Sequence, residues 1–294
     1  MVNPELAVAY AACEQLGRSH YENFPVASLL LPARMRPHVA AIYAFARIAD
    51  DMADEGTRPA GERLGDLDRW GGRLDEALAG RISAVEPHAH VFVALRHSID
   101  VCRLPPSLFH DLLSAFKQDV TIARYATWEA LLDYCRRSAN PVGRLVLRVA
   151  GAASADADAA SDAVCTALQL TNFWQDLEID RTKGRIYLPE EIWRPAGARE
   201  EDLVARRMTP GWKSALREVT ARTRALFDEG RGVCDAVAGR LRLELRATWL
   251  GGTRILDRLE AVDFDVFEKR PKLTGSDVPL LLWRTVFWRE GRKV

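Results

Sequence analysis

"VAAIYAFARIADDMADEG", residues 39–56, decides how the chain folds. Val39, Ile42, Tyr43, Phe45, Ala46 and Ala49 recur at helical spacing, so the stretch predicts an inward-facing helix. Its end carries Asp50, Asp51 and Asp54 within five positions of one another. Residues four apart share a helix face, so Asp50 and Asp54 point the same way. Their repulsion costs on the order of a few tenths of a kcal/mol. A positive partner is expected to offset it.

A second stretch, "LQLTNFWQDLEIDRTKGRIYLP" (168–189), repeats the form. Asp176 and Asp180 are four apart, and Leu168 and Asn172 continue the same stripe. Arg181, Lys183 and Arg185 follow at once. A single Asp-x-x-x-Asp pair means little, because Asp158 and Asp162 have the same spacing in an Ala/Ser stretch that reads as a loop from GAASADADAAS (151–161). Two such pairs, each ending an apolar helix, mean more. Carboxylate and amide oxygens are hard ligands suited to Mg²⁺, which keeps waters and bridges to phosphate oxygens. Two acidic ladders with basic residues beside them read as a diphosphate–Mg²⁺ clamp.

The rest of the chain agrees with a helical protein. Helices are expected at about 4–16, 37–53, 61–79, 88–102, 106–122, 128–139, 142–152, 160–179, 210–236, 238–262 and 277–288, with no strand pattern. The stretch 183–197 is the longest expected non-helical region, and 1–294 is expected to be one domain. At 48% hydrophobic residues in 294, the chain can bury a large core. Basic and acidic residues number 41 each, which gives no reason to expect a nucleic-acid partner. Five scattered cysteines without a CxxC pair read as reduced core residues of a cytoplasmic protein. The N-terminal residues carry Glu5 and Glu14 and read as a helix rather than a signal peptide. No apolar run reaches the ~18 residues needed to span a bilayer. The C-terminal VPLLLWRTVFWREG reads as a packed helix, with peripheral membrane contact as the alternative. His88 and His90 read as a loop or helix start, not metal ligands.

RIADDMAD, YCRRSANPVG (134–143) and NFWQDLEIDRTKGRIYLP together resemble the squalene/phytoene synthase family, over about residues 19–267. The resemblance implies an all-α isoprenoid synthase fold with a central cavity, in which the two acidic helices face each other. It implies Asp50, Asp54, Asn172, Asp176 and Asp180 as the Mg²⁺ set, Arg47, Arg185 and Tyr187 as diphosphate contacts, and Tyr43 and Tyr134 beside the reacting carbons. His20 and Phe24 join the substrate contacts, and Gln175, Tyr134 and His20 are the candidates for placing a terminating water.

Three departures narrow this. Gln175 stands where the family's condensing members usually have Arg. SHYENFPVASLLLP (19–32) replaces a Ser-x-Ser-Phe-like opening. Gly252 stands three positions before Ile255 and Leu256, where Tyr is usual. These features are similar to the hydroxysqualene-forming branch of bacterial hopanoid pathways. The implied reaction is Mg²⁺-dependent ionisation of presqualene diphosphate with capture of the cation by water. The alternatives are head-to-head synthesis of presqualene diphosphate, dehydrosqualene or phytoene, and a non-catalytic scaffolding protein on the same fold.

Overall fold

The computed structural model describes residues 4–19, 31–54, 58–83 and 85–288. His20 and Phe24 lie outside the described residues, as does most of the 19–32 stretch. Among the described residues the chain is helical, with no strand and one isolated bridge between Arg124 and Ile186. The helices are α1 (Pro4–Ser19), α2 (Arg36–Asp54), α3 (Ala60–Leu78), α4 (Ala89–Cys102), α5 (Pro106–Thr121), α6 (Trp128–Ser138), α7 (Asn140–Ala150) and α8 (Ala155–Gln175). They continue as α9 (Leu177–Thr182), α10 (Glu190–Trp193), α11 (Glu200–Val204), α12 (Pro210–Gly230), α13 (Val233–Ala236), α14 (Gly239–Ala261) and α15 (Val278–Val286). They cluster into two compact units, 1–122 with 141–155, and 123–140 with 156–294.

In the first unit α2 packs against α1, α3, α4 and α5. Its buried seam is Ala41, Ile42, Ala44, Phe45, Ile48, Ala49 and Ala53. Four alanines in that seam let neighbouring helices approach, and Phe45 fills the centre. Its ring lies 5.7, 6.3 and 5.4 Å from Trp70, Phe92 and Phe109. Removing such a ring costs about 3–5 kcal/mol. One polar knot joins three of these helices. The Tyr10 hydroxyl lies 3.1 Å from His38 Nδ1, 2.8 Å from His97 Nδ1 and 2.9 Å from Ser98 Oγ. His88, in the left-handed region, precedes α4 and meets the Trp70 ring edge-on.

In the second unit α8 and α12 are in close contact at Gly230, where a Cβ would lie 2.5 Å from Ala160 O. Farther along, Trp174 Nε1 donates to Thr223 Oγ1 at 2.9 Å. The Thr166 hydroxyl donates to Asn140 Oδ1 at 2.9 Å, both groups buried.

Several expectations change, and the helix expected over 210–236 is one of them: it stops at Gly230, and Val233–Ala236 forms a separate short helix. The Ala/Ser/Asp stretch is a loop only to Ser154, so Asp158 and Asp162 are helical. Alanine favours helix, and Asp156 and Asp158 in the first turn suit its positive end. The region 183–197 contains the short α10, and α11 lies where no helix was expected. The expected helix over 160–179 breaks at Asp176, whose φ of −105° and ψ of 14° leave the helical well.

Candidate active site

The first ladder is a stripe on α2 beside the core seam. Tyr43, Arg47, Asp50 and Asp54 succeed one another at spacings of four, three and four, all half-buried. The helix answers its own charge problem. Arg47 lies 2.6 Å from Asp51 and 3.6 Å from Asp50. Asp51 carried no role in the sequence reading; here it holds Arg47.

The second ladder spans the junction of α8 and α9. The α-helical bonds persist across the kink: Asp176 N–H donates to Asn172 O and Asp180 N–H to Asp176 O, each at 2.9 Å. The side-chain stripe Leu168, Asn172, Asp176, Asp180 therefore keeps its register although Asp176 itself is not helical. Asn172 is exposed, whereas Asp176 and Asp180 are half-buried.

α9 ends in a tight turn that fixes the direction of the chain toward Arg185 and Tyr187. Gly184 has φ +79°, and its N–H bonds Arg181 O at 2.9 Å. Arg185 N–H reaches back to Asp180 O at 2.8 Å. This pair of bonds is a helix-terminating motif that needs glycine at the left-handed position. It holds Arg185 next to Asp180. Beyond it the chain is pinned: Ile186 N–H donates to Ala123 O at 3.0 Å and Glu190 N–H to Tyr125 O at 2.9 Å. Arg124 braces the turn, donating to Gly184 O at 2.7 Å and to both Glu200 carboxylate oxygens at 3.0 and 2.8 Å.

Tyr187 and Tyr134 meet in one buried cluster. Tyr187 stacks on Phe173 at 3.7 Å between centroids, and Tyr134 lies 6.0 Å from Tyr187 and 6.1 Å from Phe173. Tyr125 completes it, 5.6 Å from Tyr134 and 5.8 Å from Tyr187. Tyr125 and Phe173 were not singled out from sequence. Phe173 sits inside the motif itself, and that adjacency was the available signal.

The largest omission is Arg270. Its guanidinium takes both oxygens of Asp176, Nε on Oδ1 and Nη2 on Oδ2 at 3.1 Å. The Asp176 carboxylate raises the arginine's pKa further above its ordinary value. The neighbouring Gln175 is tied to the same place, because its Nε2 donates to Pro271 O at 2.6 Å. With its nitrogen committed, Gln175 has its carbonyl oxygen to offer as an acceptor. The only hint in the sequence was the basic run Lys269, Arg270, Lys272.

Packing accounts for the glycine at position 252. A Cβ there would lie 2.5 Å from Phe227 Cζ and 2.8 Å from Leu168 Cδ2. The space beside α14 is filled by Phe227 from α12 and by Leu168, which begins the acidic stripe. A tyrosine at 252 would have to displace both.

Against known proteins, the family model described as squalene/phytoene synthase matches residues 18–277. The chain belongs to the squalene/phytoene synthase family. It is thus an enzyme by descent, with that family's all-α isoprenoid synthase fold. Hydroxysqualene synthase of Rhodopseudomonas palustris is 38% identical over 250 residues, covering 84% of this chain and 82% of that one. Hydroxysqualene synthase of Zymomonas mobilis is 39% identical over 231 residues, covering 77% and 75%. Among solved structures, squalene synthase HpnC from Alicyclobacillus acidocaldarius matches with a TM-score of 0.83 and 40% identity, covering 90% of this chain and 97% of that one. A dehydrosqualene synthase bound to a ligand shares the fold at a TM-score of 0.85 and 23% identity, covering 97% of each chain. For this squalene/phytoene synthase, the fold places Asn172, Asp176, Asp180 and Arg185 on one continuous piece of chain, and Tyr43, Arg47, Asp50 and Asp54 on another.

Proposed function

We propose that this enzyme ionises presqualene diphosphate with Mg²⁺ and captures the cation with water, giving hydroxysqualene, diphosphate and a proton. The observation that carries this choice is the packing at Gly252. The family resemblance implies tyrosine at that point in condensing members, and here Phe227 and Leu168 occupy the space. The similarity to two hydroxysqualene synthases supports the same choice.

The donor set fits Mg²⁺. Asp50, Asp54, Asp176, Asp180 and Asn172 offer only hard oxygens. Each ion would then rest on one or two carboxylates and fill its shell with water and diphosphate oxygens, as Mg²⁺ prefers. Bound there, Mg²⁺ would supply charge stabilisation for the leaving diphosphate. Arg47 and Arg185 would share that charge by direct hydrogen bonds, so no general acid is needed to break the C–O bond. Tyr43, on the same face as Arg47, would present a ring to the cation. Gln175 is the group best prepared to place the water. Its amide nitrogen donates to Pro271 O, and its carbonyl oxygen would accept a hydrogen bond from the water and turn the water's lone pair toward carbon.

The test is product analysis on presqualene diphosphate in ¹⁸O-water, with Mg²⁺ and without NADPH. Labelled hydroxysqualene is expected. An unlabelled hydrocarbon, or turnover of farnesyl diphosphate alone, would move the enzyme to the head-to-head condensing reaction.

A further inference from the structure

The peptide unit that joins Gly184 to Arg185 is held at both of its polar ends. Its N–H, from Arg185, donates to Asp180 O at 2.8 Å. Its C=O, from Gly184, accepts from Arg124 Nη1 at 2.7 Å. A peptide unit is planar, so holding both ends fixes the plane, and with it the direction in which the backbone presents the Arg185 side chain. The first bond belongs to the turn that ends α9. The second does not, because that turn uses the carbonyls before Gly184 and none at Gly184 itself. Gly184 is exposed, so water could serve its carbonyl. Arg124 is therefore not needed to satisfy a buried group; what it adds is direction.

Arg124 is itself aimed. Its Nε and Nη2 fork onto the two carboxylate oxygens of Glu200, on α11, at 3.0 and 2.8 Å. A bidentate pair of this kind sets the plane of the guanidinium. Nη1 is left for the backbone, where it meets Gly184 O and Ala123 O, the latter at 2.8 Å. The main chain of Arg124 bridges to Ile186, so backbone and side chain secure the same crossing on either side of Arg185. The Arg124 hydrogen bonds hold the Glu200 carboxyl below its ordinary pKa, so the fork stays charged at neutral pH. The two side chains are 33% and 37% exposed, and an ion pair so exposed contributes little to stability. Orientation is the role that remains.

We propose that Arg124, aimed by Glu200, is a positioning residue for Arg185: it fixes the peptide from which Arg185 reaches the leaving diphosphate. This rests on the reading of Arg185 as a diphosphate contact. A guanidinium recognises phosphate oxygens through paired N–H donors of fixed geometry, so a tilt of the peptide beneath it loses contacts that its charge alone does not replace.

Calorimetric binding of inorganic diphosphate with Mg²⁺ to the full-length protein tests this. Arg124→Met and Arg185→Ala are each expected to weaken binding about tenfold. The Arg124→Met/Arg185→Ala double variant is expected to bind no more weakly than Arg185→Ala, because Arg124 acts only through Arg185. Glu200→Gln leaves Arg124 in place and loosens its fork; it is expected to weaken binding about threefold, and to lose that effect in the Arg185→Ala background. This second cycle decides the matter if Arg124→Met does not fold, as judged by circular dichroism. Losses that multiply in the double variants would overturn the role, as would folded Arg124→Met and Glu200→Gln proteins that bind like wild type. Arg185→Ala binding as tightly as wild type would instead remove Arg185 from the diphosphate site, and the role of Arg124 with it.

Discussion

At the scale of single residues, arginines stand where cations are proposed to act. Arg47 holds Asp50 and Asp51, and Arg270 holds Asp176 through both oxygens. An acidic ladder would otherwise destabilise the protein, so each arginine offsets the charge of its carboxylates. The Arg270 pair is substantially exposed on the arginine side and contributes little to stability by itself. Its consequence lies in competition. Mn²⁺, used as a calorimetric probe, is expected to bind Arg270→Ala several-fold more tightly than wild type, because Asp176 no longer has to be released. Equal or weaker binding would show that Asp176 is not a ligand. Asp54→Ala and Asp176→Ala are expected to lose turnover by at least about a hundredfold while melting at or slightly above the wild-type temperature, since each removes like charge from a ladder. Full activity in either variant, at saturating Mg²⁺, would remove that residue from the metal set.

At the scale of elements, what the sequence revealed depended on whether the signal was periodic. α2 was legible to within a residue at either end, because its apolar seam and its acidic end are both local patterns. The break between α8 and α9 was not legible. The residues Asn172 to Asp180 keep helical spacing, and the tie that accompanies the break, Gln175 to Pro271, comes from 96 positions away. The helical Ala/Asp stretch that opens α8 was misjudged because weak hydrophobicity hid strong helix formers. Arg270 was missed for the same reason as the kink: no spacing rule links it to Asp176. Gly252 was noticed as a departure, but its physical role needed coordinates. It lets α14 approach Phe227 and Leu168 closely, so Gly252→Ala is expected to destabilise by about 1–3 kcal/mol, the usual cost of overpacking. Urea denaturation measures this. A variant as stable as wild type would mean Phe227 can turn aside freely, and the space would then not be closed to larger groups.

At the scale of the whole molecule, two buried carboxyls on the last long helix and its neighbour should shape how stability depends on pH. Asp277 is buried, which raises its pKa. Arg258, the Thr274 N–H and Arg254 outweigh that and hold the carboxyl well below its usual range. Its contribution is therefore present above the unfolded value of 3.8 and fades as pH falls below it. Glu244 is the opposite case. It is buried on α14, on the same stripe as Leu241 and Gly252, and its Oε2 has no hydrogen-bond partner. Burial pushes its carboxyl from 4.5 up to about 8. A raised acid favours folding while it stays neutral, so its contribution is complete below the unfolded value and is lost as pH rises through about 8. These two groups together therefore contribute most on the acid side of neutrality, near their unfolded values. Glu244→Gln keeps the shape and removes the ionisation. Its stability relative to wild type is expected to grow between about pH 5 and pH 9, by on the order of a few kcal/mol at the upper end. Urea denaturation of the two proteins across that range reads the difference. If the gap between them stays constant with pH, Glu244 is either already ionised in the fold or reached by water, and the carboxyl does not couple folding to protons.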